Sequence, residues 1–236
     1  MYFLFSGEGA TDFGTPTFAD TLCEGDNYDR GPMAFVVDRI VHHRHSYSII
    51  EAGNCGFLSK QALAARAKLL KHPKMSMPRK DKEKETAYFF RNARALASYA
   101  KDKEKNGDEV VAILFRDSDG NASSGRGEWD AKWNSMIDGF QAEGFSNGVP
   151  MLPKPTSEAW FLCALKNDPY QRCDSLEQRS PSPKAKVVLK KELDEILKHT
   201  SSHTDLCNHV KDGRIDALLI NMPSFNKFRE RLLEVI

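Results

Sequence analysis

Two short apolar runs, each ending in acidic residues and glycine, constrain the fold of this chain most strongly. Residues 2–5 (YFLF) and 110–115 (VVAILF) both lead directly into such a segment. Continuous apolar runs of this length are typical of strands buried in a parallel sheet. Proteins of the α/β class bind their ligands at the carboxyl ends of such strands. The sequence therefore predicts an α/β fold with a functional site at these two strand ends.

The carboxylates at the two strand ends form two spaced pairs. Glu8 and Asp12 are four residues apart, whereas Asp117 and Asp119 are two apart and would point to one face of an extended backbone. Carboxylates gathered at one rim repel one another unless a cation lies among them. Mg²⁺ and Mn²⁺ take oxygen ligands. If the two strands are neighbours, we expect these four side chains to hold a divalent metal ion.

Strands and helices alternate through residue 166, and the remainder is helical. This pattern predicts a parallel sheet flanked by helices in residues 1–166, with a helical C-terminal extension, residues 167–236, packed on it. The expected helices are 32–43, 59–70, 85–105, 129–143, 158–165, 184–199, 206–211 and 224–235. The other expected elements are strands at 47–52 and 149–153 (the latter near the sheet edge), a loop at 13–31 and a linker at 71–84.

Composition excludes several classes of protein. The net charge of the 236-residue chain is +1, so any nucleic-acid-binding surface must be local. No apolar run approaches the ~20 residues that span a bilayer, and the first residues lack the basic start of a signal peptide. The five cysteines are scattered without a CxxC pair, which favours free thiols. We therefore expect a cytoplasmic protein that does not enter a membrane.

At this point the chain resembles the Toprim family. Residues 7–12 (GEGATD) resemble its first motif, an apolar strand followed by EGxxD/E, and residues 117–119 (DSD) resemble its DxD motif. Residues 153–162 (PKPTSEAWFL) resemble a P-x-x-x-E-x-W-L segment of small stand-alone Toprim-like proteins, which are often encoded beside ATPases in prokaryotic genomes. Residues 222–228 (MPSFNKF) are similar to the ending of the same group.

The resemblance implies a Toprim-like Rossmannoid sheet and a nuclease dependent on Mg²⁺ or Mn²⁺. It implies DNA or RNA as substrate, a role as effector in anti-phage defence, and activation by a partner ATPase, and it is compatible with a homodimer. A further acid near the site and a lysine that offsets phosphate charge are also implied. The residues concerned are Glu8, Asp12, Asp117 and Asp119 as metal ligands and catalytic groups, Glu158 as the further acid and Lys154 as the lysine.

Other interpretations of the same residues stay open. The acidic site could hold a structural ion, or be inert, in a non-catalytic regulatory subunit of an ATPase complex. Asp117 could belong to a turn or be a phosphoacceptor in a receiver-like domain. His199, His203 and Cys207 recur every four residues and could bind zinc, although the polar segment between them is a poor helix interior. Arg126, after the DxD segment, is a further candidate for phosphate contact.

Overall fold

The computed structural model describes residues 1–9, 12–70, 83–118, 126–180, 188–198 and 202–236. The strands are β1 (Tyr2–Ser6), β2 (Gly14–Pro16), β3 (Leu22–Glu24), β4 (Tyr28–Arg30), β5 (Cys55–Leu58), β6 (Val110–Phe115) and β7 (Gly148–Met151). The α-helices are α1 (Pro32–His45), α2 (Lys60–Leu69), α3 (Glu83–Glu104), α4 (Arg126–Ala142), α5 (Ser157–Leu165), α6 (Leu189–Leu197), α7 (His203–Lys211) and α8 (Pro223–Val235).

Five strands form one sheet in the order β3-β5-β1-β6-β7. Strands β5, β1, β6 and β7 are parallel, and β3 adds an antiparallel edge. The chain passes from β1 to β5 on one side and then returns to β6 on the other side of β1. A parallel sheet with this reversal has its ligand crevice between the carboxyl ends of the two strands at the reversal. The predicted α/β class and the position of β7 at the sheet edge are confirmed.

Helices cover both faces of the sheet because the side chains of each strand alternate between two cores. Phe3 and Phe5 of β1 join the core under α1 and α5 to α8, and Tyr2 and Leu4 join the core under α2, α3 and α4. The C-terminal helices belong to the first core, where Trp160 packs against rings of α8. No described helix has the combination of length and apolarity that crossing a bilayer requires. The domain boundary at residue 166 stays a prediction.

The strand predicted at residues 47–52 is wrong. The carboxylate of Asp38 accepts hydrogen bonds from Ser48 Oγ (3.0 Å) and Ile50 N (3.2 Å), and the amide of Ala52 bonds back to the Ser48 carbonyl. These bonds wind the segment into turns, because polar side chains compete with a strand ladder for the backbone. The strand that pairs with β1 is instead β5, which begins only at Cys55.

The predicted loop at 13–31 and the predicted linker at 71–84 have different outcomes. The loop predicted at 13–31 is wrong in part, because it contains an antiparallel pair, β2 with β4, and the edge strand β3. Its strands are short and are interrupted by Gly, Pro and Asp, so the sequence shows no regular alternation of apolar and polar residues there. The linker predicted at 71–84 lies mostly outside the described residues, since 71–82 are not described and α3 begins at Glu83.

The expectation of five free thiols is also wrong. Cys163 of α5 and Cys173 form a disulfide, with their Cα atoms 5.2 Å apart. The chain reverses after α5 into a 3-10 turn (Cys173–Gln178), which brings two cysteines ten positions apart into contact. Spacing alone does not reveal a pair that only a tertiary turn creates. The remaining cysteines, Cys23, Cys55 and Cys207, are free and buried.

Candidate functional site at the ends of two strands

The two acidic segments lie side by side, as the sequence predicts for neighbouring strands. Strands β1 and β6 pair in parallel with Ser6 opposite Leu114, so Glu8 and Asp117 follow at adjacent positions of the same sheet edge. This edge is the carboxyl side of the crevice where the strand order reverses. The candidate site therefore occupies the position at which an open α/β sheet binds its ligand.

Asp12 closes the β1 loop upon itself. Its carboxylate Oδ2 accepts hydrogen bonds from the amides of Glu8 (3.0 Å) and Gly9 (2.8 Å), and only 6% of the residue is exposed. Burial raises the pKa of Asp12 to about 6, although the two amide donors and Arg116 oppose the rise. The neighbouring Glu8 charge raises the pKa of Asp12 further. Asp12 is therefore a carboxyl whose proton equilibrium lies close to neutral pH.

The segment after Asp12 is fixed by the start of α1. The Asp12 carbonyl accepts from Met33 N (2.9 Å), and Phe13 stacks on Phe5 with ring centroids 4.5 Å apart. A Cβ at Gly31 would lie 2.3 Å from the Asp12 carbonyl oxygen, so only glycine allows this approach. Together these contacts hold Asp12 at the strand end without help from a ligand.

Glu8 points away from Asp12's loop toward the helices of the second core. Its Oε1 lies 3.2 Å from Lys60 Nζ, 3.1 Å from the Tyr88 hydroxyl and 3.7 Å from Arg116 Nε. Lys60 begins α2, and Tyr88 lies on α3. The Glu8 side chain remains 27% exposed, so solvent or a ligand can reach it.

Arg116 is the site residue that the sequence reasoning did not single out. It is fully buried, and its guanidinium donates to the Phe115 carbonyl (2.6 Å) and to Asn92 Oδ1 (2.9 Å). Asn92 in turn donates to the carbonyl of Tyr88, four residues earlier on α3. Strand alternation could have revealed this residue. Arg116 continues the row of β6 side chains that face α2 and α3, and an arginine buried there needs hydrogen-bond partners.

Asp117 points to the opposite face of the sheet, where it meets α5. Its Oδ1 accepts from Ser157 N (3.0 Å), the first residue of that helix, and a helix N-terminus favours a negative charge. The next residue, Ser118, donates to the Pro155 carbonyl (3.0 Å) and accepts at its own carbonyl from Lys132 Nζ (2.6 Å). Lys132 is 3% exposed and brings a buried cation to this rim, which the sequence reasoning also missed.

The described carboxylates therefore approach the crevice from both faces of the sheet. Among the residues that the structure describes, no three His, Cys, Asp or Glu side chains converge into a metal-ligand group. Mg²⁺ in proteins is commonly bound by one or two carboxylates, with water and phosphate oxygens completing its shell. The all-oxygen donors Glu8, Asp12 and Asp117 fit that mode of binding. A cation beside Asp12 would also offset the cost of ionising a buried carboxyl.

The remaining predicted residues have mixed outcomes. Asp119 lies outside the described residues, so the geometry of the second DxD carboxylate stays a prediction. Glu158 lies in the first turn of α5, next to the residue that binds Asp117. Lys154 follows β7 and is close enough to Glu177 to lower the pKa of that buried carboxyl, whose pKa burial otherwise raises. The side chain of Arg126 is outside the described part of the chain.

A cleft of about 690 Å³ opens away from this rim, between α1 and α7. His203 Nε2 lies 3.1 Å from the Arg30 carbonyl, and Cys207 Sγ lies 3.5 Å from the same oxygen. Burial raises the pKa of Cys207 to about 12, which keeps it a thiol at neutral pH. His199 lies outside the described residues. His203 and Cys207 thus both contact a backbone carbonyl of β4.

Comparison with models of known protein families, with curated proteins and with solved structures finds no match. The resemblance to Toprim proteins therefore rests on the short motifs of the sequence alone.

Proposed function

We propose that the chain is a nuclease that hydrolyses phosphodiester bonds of DNA or RNA with Mg²⁺ or Mn²⁺ at the β1–β6 strand ends. The observation that carries the proposal is the parallel pairing of β1 with β6, which brings the loop of Glu8 and Asp12 and the residue Asp117 to the same edge of the sheet, at the point where the strand order reverses. Neutral small-molecule sites are lined mainly by apolar side chains. An acidic rim with buried cations instead suits a metal ion and a phosphate.

The residues of the rim suggest a division of roles. A divalent ion bound by Glu8, Asp12 or Asp117 would polarise the phosphodiester and lower the pKa of water. Asp12, with a pKa of about 6, is suited to accept a proton near neutral pH. Lys132, held at the Ser118 carbonyl, supplies positive charge beside the end of β6. Asp119, Glu158 and Lys154 remain candidates by motif.

The test is cleavage of labelled DNA and RNA with Mg²⁺ or Mn²⁺ by the purified protein, both alone and together with an ATPase encoded beside its gene. Asp117→Asn is expected to lower the rate about 100-fold or more, because it removes a charged ligand or proton acceptor without changing size. Asp20→Asn is the matched control, since Asp20 is an exposed carboxylate outside the site. Equal activity of Asp117→Asn and wild type in the presence of that ATPase would refute the assignment.

We further propose that cleavage requires a partner ATPase, which the resemblance implies. Coexpression with an ATPase encoded beside the gene should give one complex in size-exclusion chromatography, and cleavage should appear only in that complex. Two separate peaks would count against the partnership. A complex that binds metal but leaves every nucleic acid intact, in wild type and Asp117→Asn alike, would favour the alternative of a regulatory subunit.

A further inference from the structure

Three donors from three parts of the fold converge on the Glu8 carboxylate. Lys60 Nζ lies 3.2 Å from Glu8 Oε1, the Tyr88 hydroxyl 3.1 Å and Arg116 Nε 3.7 Å from the same oxygen. We call Lys60, Tyr88 and Arg116 the donor cradle. It contains two cations and one hydroxyl, and Glu8 is the one carboxylate of the described residues that lies within ion-pair distance of both cations.

The buried part of the cradle has donor capacity that Glu8 does not use. Within the described part of the chain, Arg116 Nε has no hydrogen-bond partner, and the same is true of Ser6 Oγ; both residues are fully buried. Ser6 and Arg116 continue the rows of β1 and β6 that face α2 and α3, so they point to the cradle side of the sheet. A buried guanidinium left short of partners is costly.

The chemistry of the cradle suits a phosphate better than a carboxylate. Arginine and lysine with a hydroxyl can share several phosphate oxygens at once, and charge-assisted bonds of this kind are the stronger ones. The open side is formed by Lys60, whose side chain is 54% exposed, and by the half-buried Tyr88. A phosphate can therefore enter from solvent at the position that Glu8 now occupies.

We propose that the donor cradle is a phosphate subsite for nucleic acid and that Glu8 occupies it in place of the phosphate. Naming nucleic acid as the ligand rests on the proposed function, whereas the competition between Glu8 and a phosphate does not. Any cation that attracts the Glu8 carboxylate weakens its hold on Lys60 and Arg116. Cation binding and phosphate binding therefore strengthen each other, by the same factor in either order.

The test is binding without cleavage, measured by fluorescence anisotropy of a labelled single-stranded 12-mer, as DNA and as RNA, in EDTA. Glu8→Gln removes the competing charge and is expected to tighten binding by about 5-fold, the upper end of the range for solvent-exposed ion pairs. Lys60→Met is expected to weaken binding by about 5-fold or more. Lys68→Met is the control, because it removes the same charge from an exposed position of the same helix.

The outcomes separate this inference from the proposed nuclease activity. Glu8→Gln should tighten binding in EDTA while it lowers metal-dependent cleavage, a pair of opposite effects that a structural role of Glu8 does not produce. Tighter binding by Glu8→Gln in a protein that does not cleave even with the partner ATPase present would support the cradle and refute the nuclease. Unchanged or weaker binding by a folded Glu8→Gln protein, or equal losses in Lys60→Met and Lys68→Met, would overturn the cradle.

Discussion

Replacing Asp12 by Asn should stabilise the folded protein at neutral pH and remove part of its pH dependence. Asp12 is 6% exposed, and burial raises its pKa from 3.8 to about 6. Asn keeps the size and an oxygen that can accept from the amides of Glu8 and Gly9, so the loop geometry is retained. The substitution therefore isolates the cost of carrying a charge at this position.

The sign and size of this effect on the free energy of unfolding follow from the pKa of Asp12 in the unfolded and in the folded protein. Because the folded pKa is the higher one, protonation of Asp12 stabilises the fold fully below pH 3.8, and this contribution is lost as pH rises through about 6. Each tenfold change in an equilibrium constant is worth about 1.4 kcal/mol, so the whole loss is about 3 kcal/mol. Between pH 4.5 and 7.5 the Asn variant should gain about 2 kcal/mol relative to wild type.

The assay is urea unfolding of both proteins across that pH range in EDTA, with Asp20→Asn as a control for an exposed carboxylate. A difference in unfolding free energy between Asp12→Asn and wild type that is the same at pH 4.5 and 7.5 would refute the reasoning. Adding Mg²⁺ at pH 7.5 gives a second readout. At 100 times its Kd a ligand stabilises the folded state by about 2.7 kcal/mol, and Asp12→Asn should lose part of that gain.

Three further predictions concern packing away from the rim. Ser224→Ala should destabilise the protein by about 1 to 3 kcal/mol, because it leaves the buried Glu177 carboxylate without its hydroxyl donor, and urea unfolding measures this. Gly148→Ala should cost about 1 to 3 kcal/mol, since its Cβ would lie 2.1 Å from the Phe140 ring; Phe140→Leu in the same chain should recover part of the loss. Cys163→Ser should lower the unfolding free energy by about 3 kcal/mol for a loop of this length, and wild type in reducing agent should show the same loss.

The fold could be predicted where local pattern and burial agree. The apolar run of β6 and the N-cap at Ser59, which accepts from Ala62 N, are determined by neighbouring residues, so their elements lie where expected. The segment at 47–52 has strand propensity, but the carboxylate of Asp38 accepts from the Ser48 hydroxyl and from the amide of Ile50. The Cys163 disulfide likewise depends on a chain reversal. Contacts between residues ten or twelve positions apart decided these two failures.

The site was predictable in its position but not in its two-sided arrangement. The sequence predicts that Glu8 and Asp117 each follow a strand, and the structure shows that these two strands are neighbours. The sequence reasoning did not predict that the two side chains lie on opposite faces of the sheet. Strand alternation would have predicted it, because Arg116 extends the row of β6 that faces α3 and the next residue, Asp117, therefore faces α5. One carboxylate therefore lies among cations and the other at a helix N-terminus. In the proposed function, a substrate that reaches both the donor cradle around Glu8 and the rim at Asp117 must cross the sheet edge, which suits an extended phosphodiester chain.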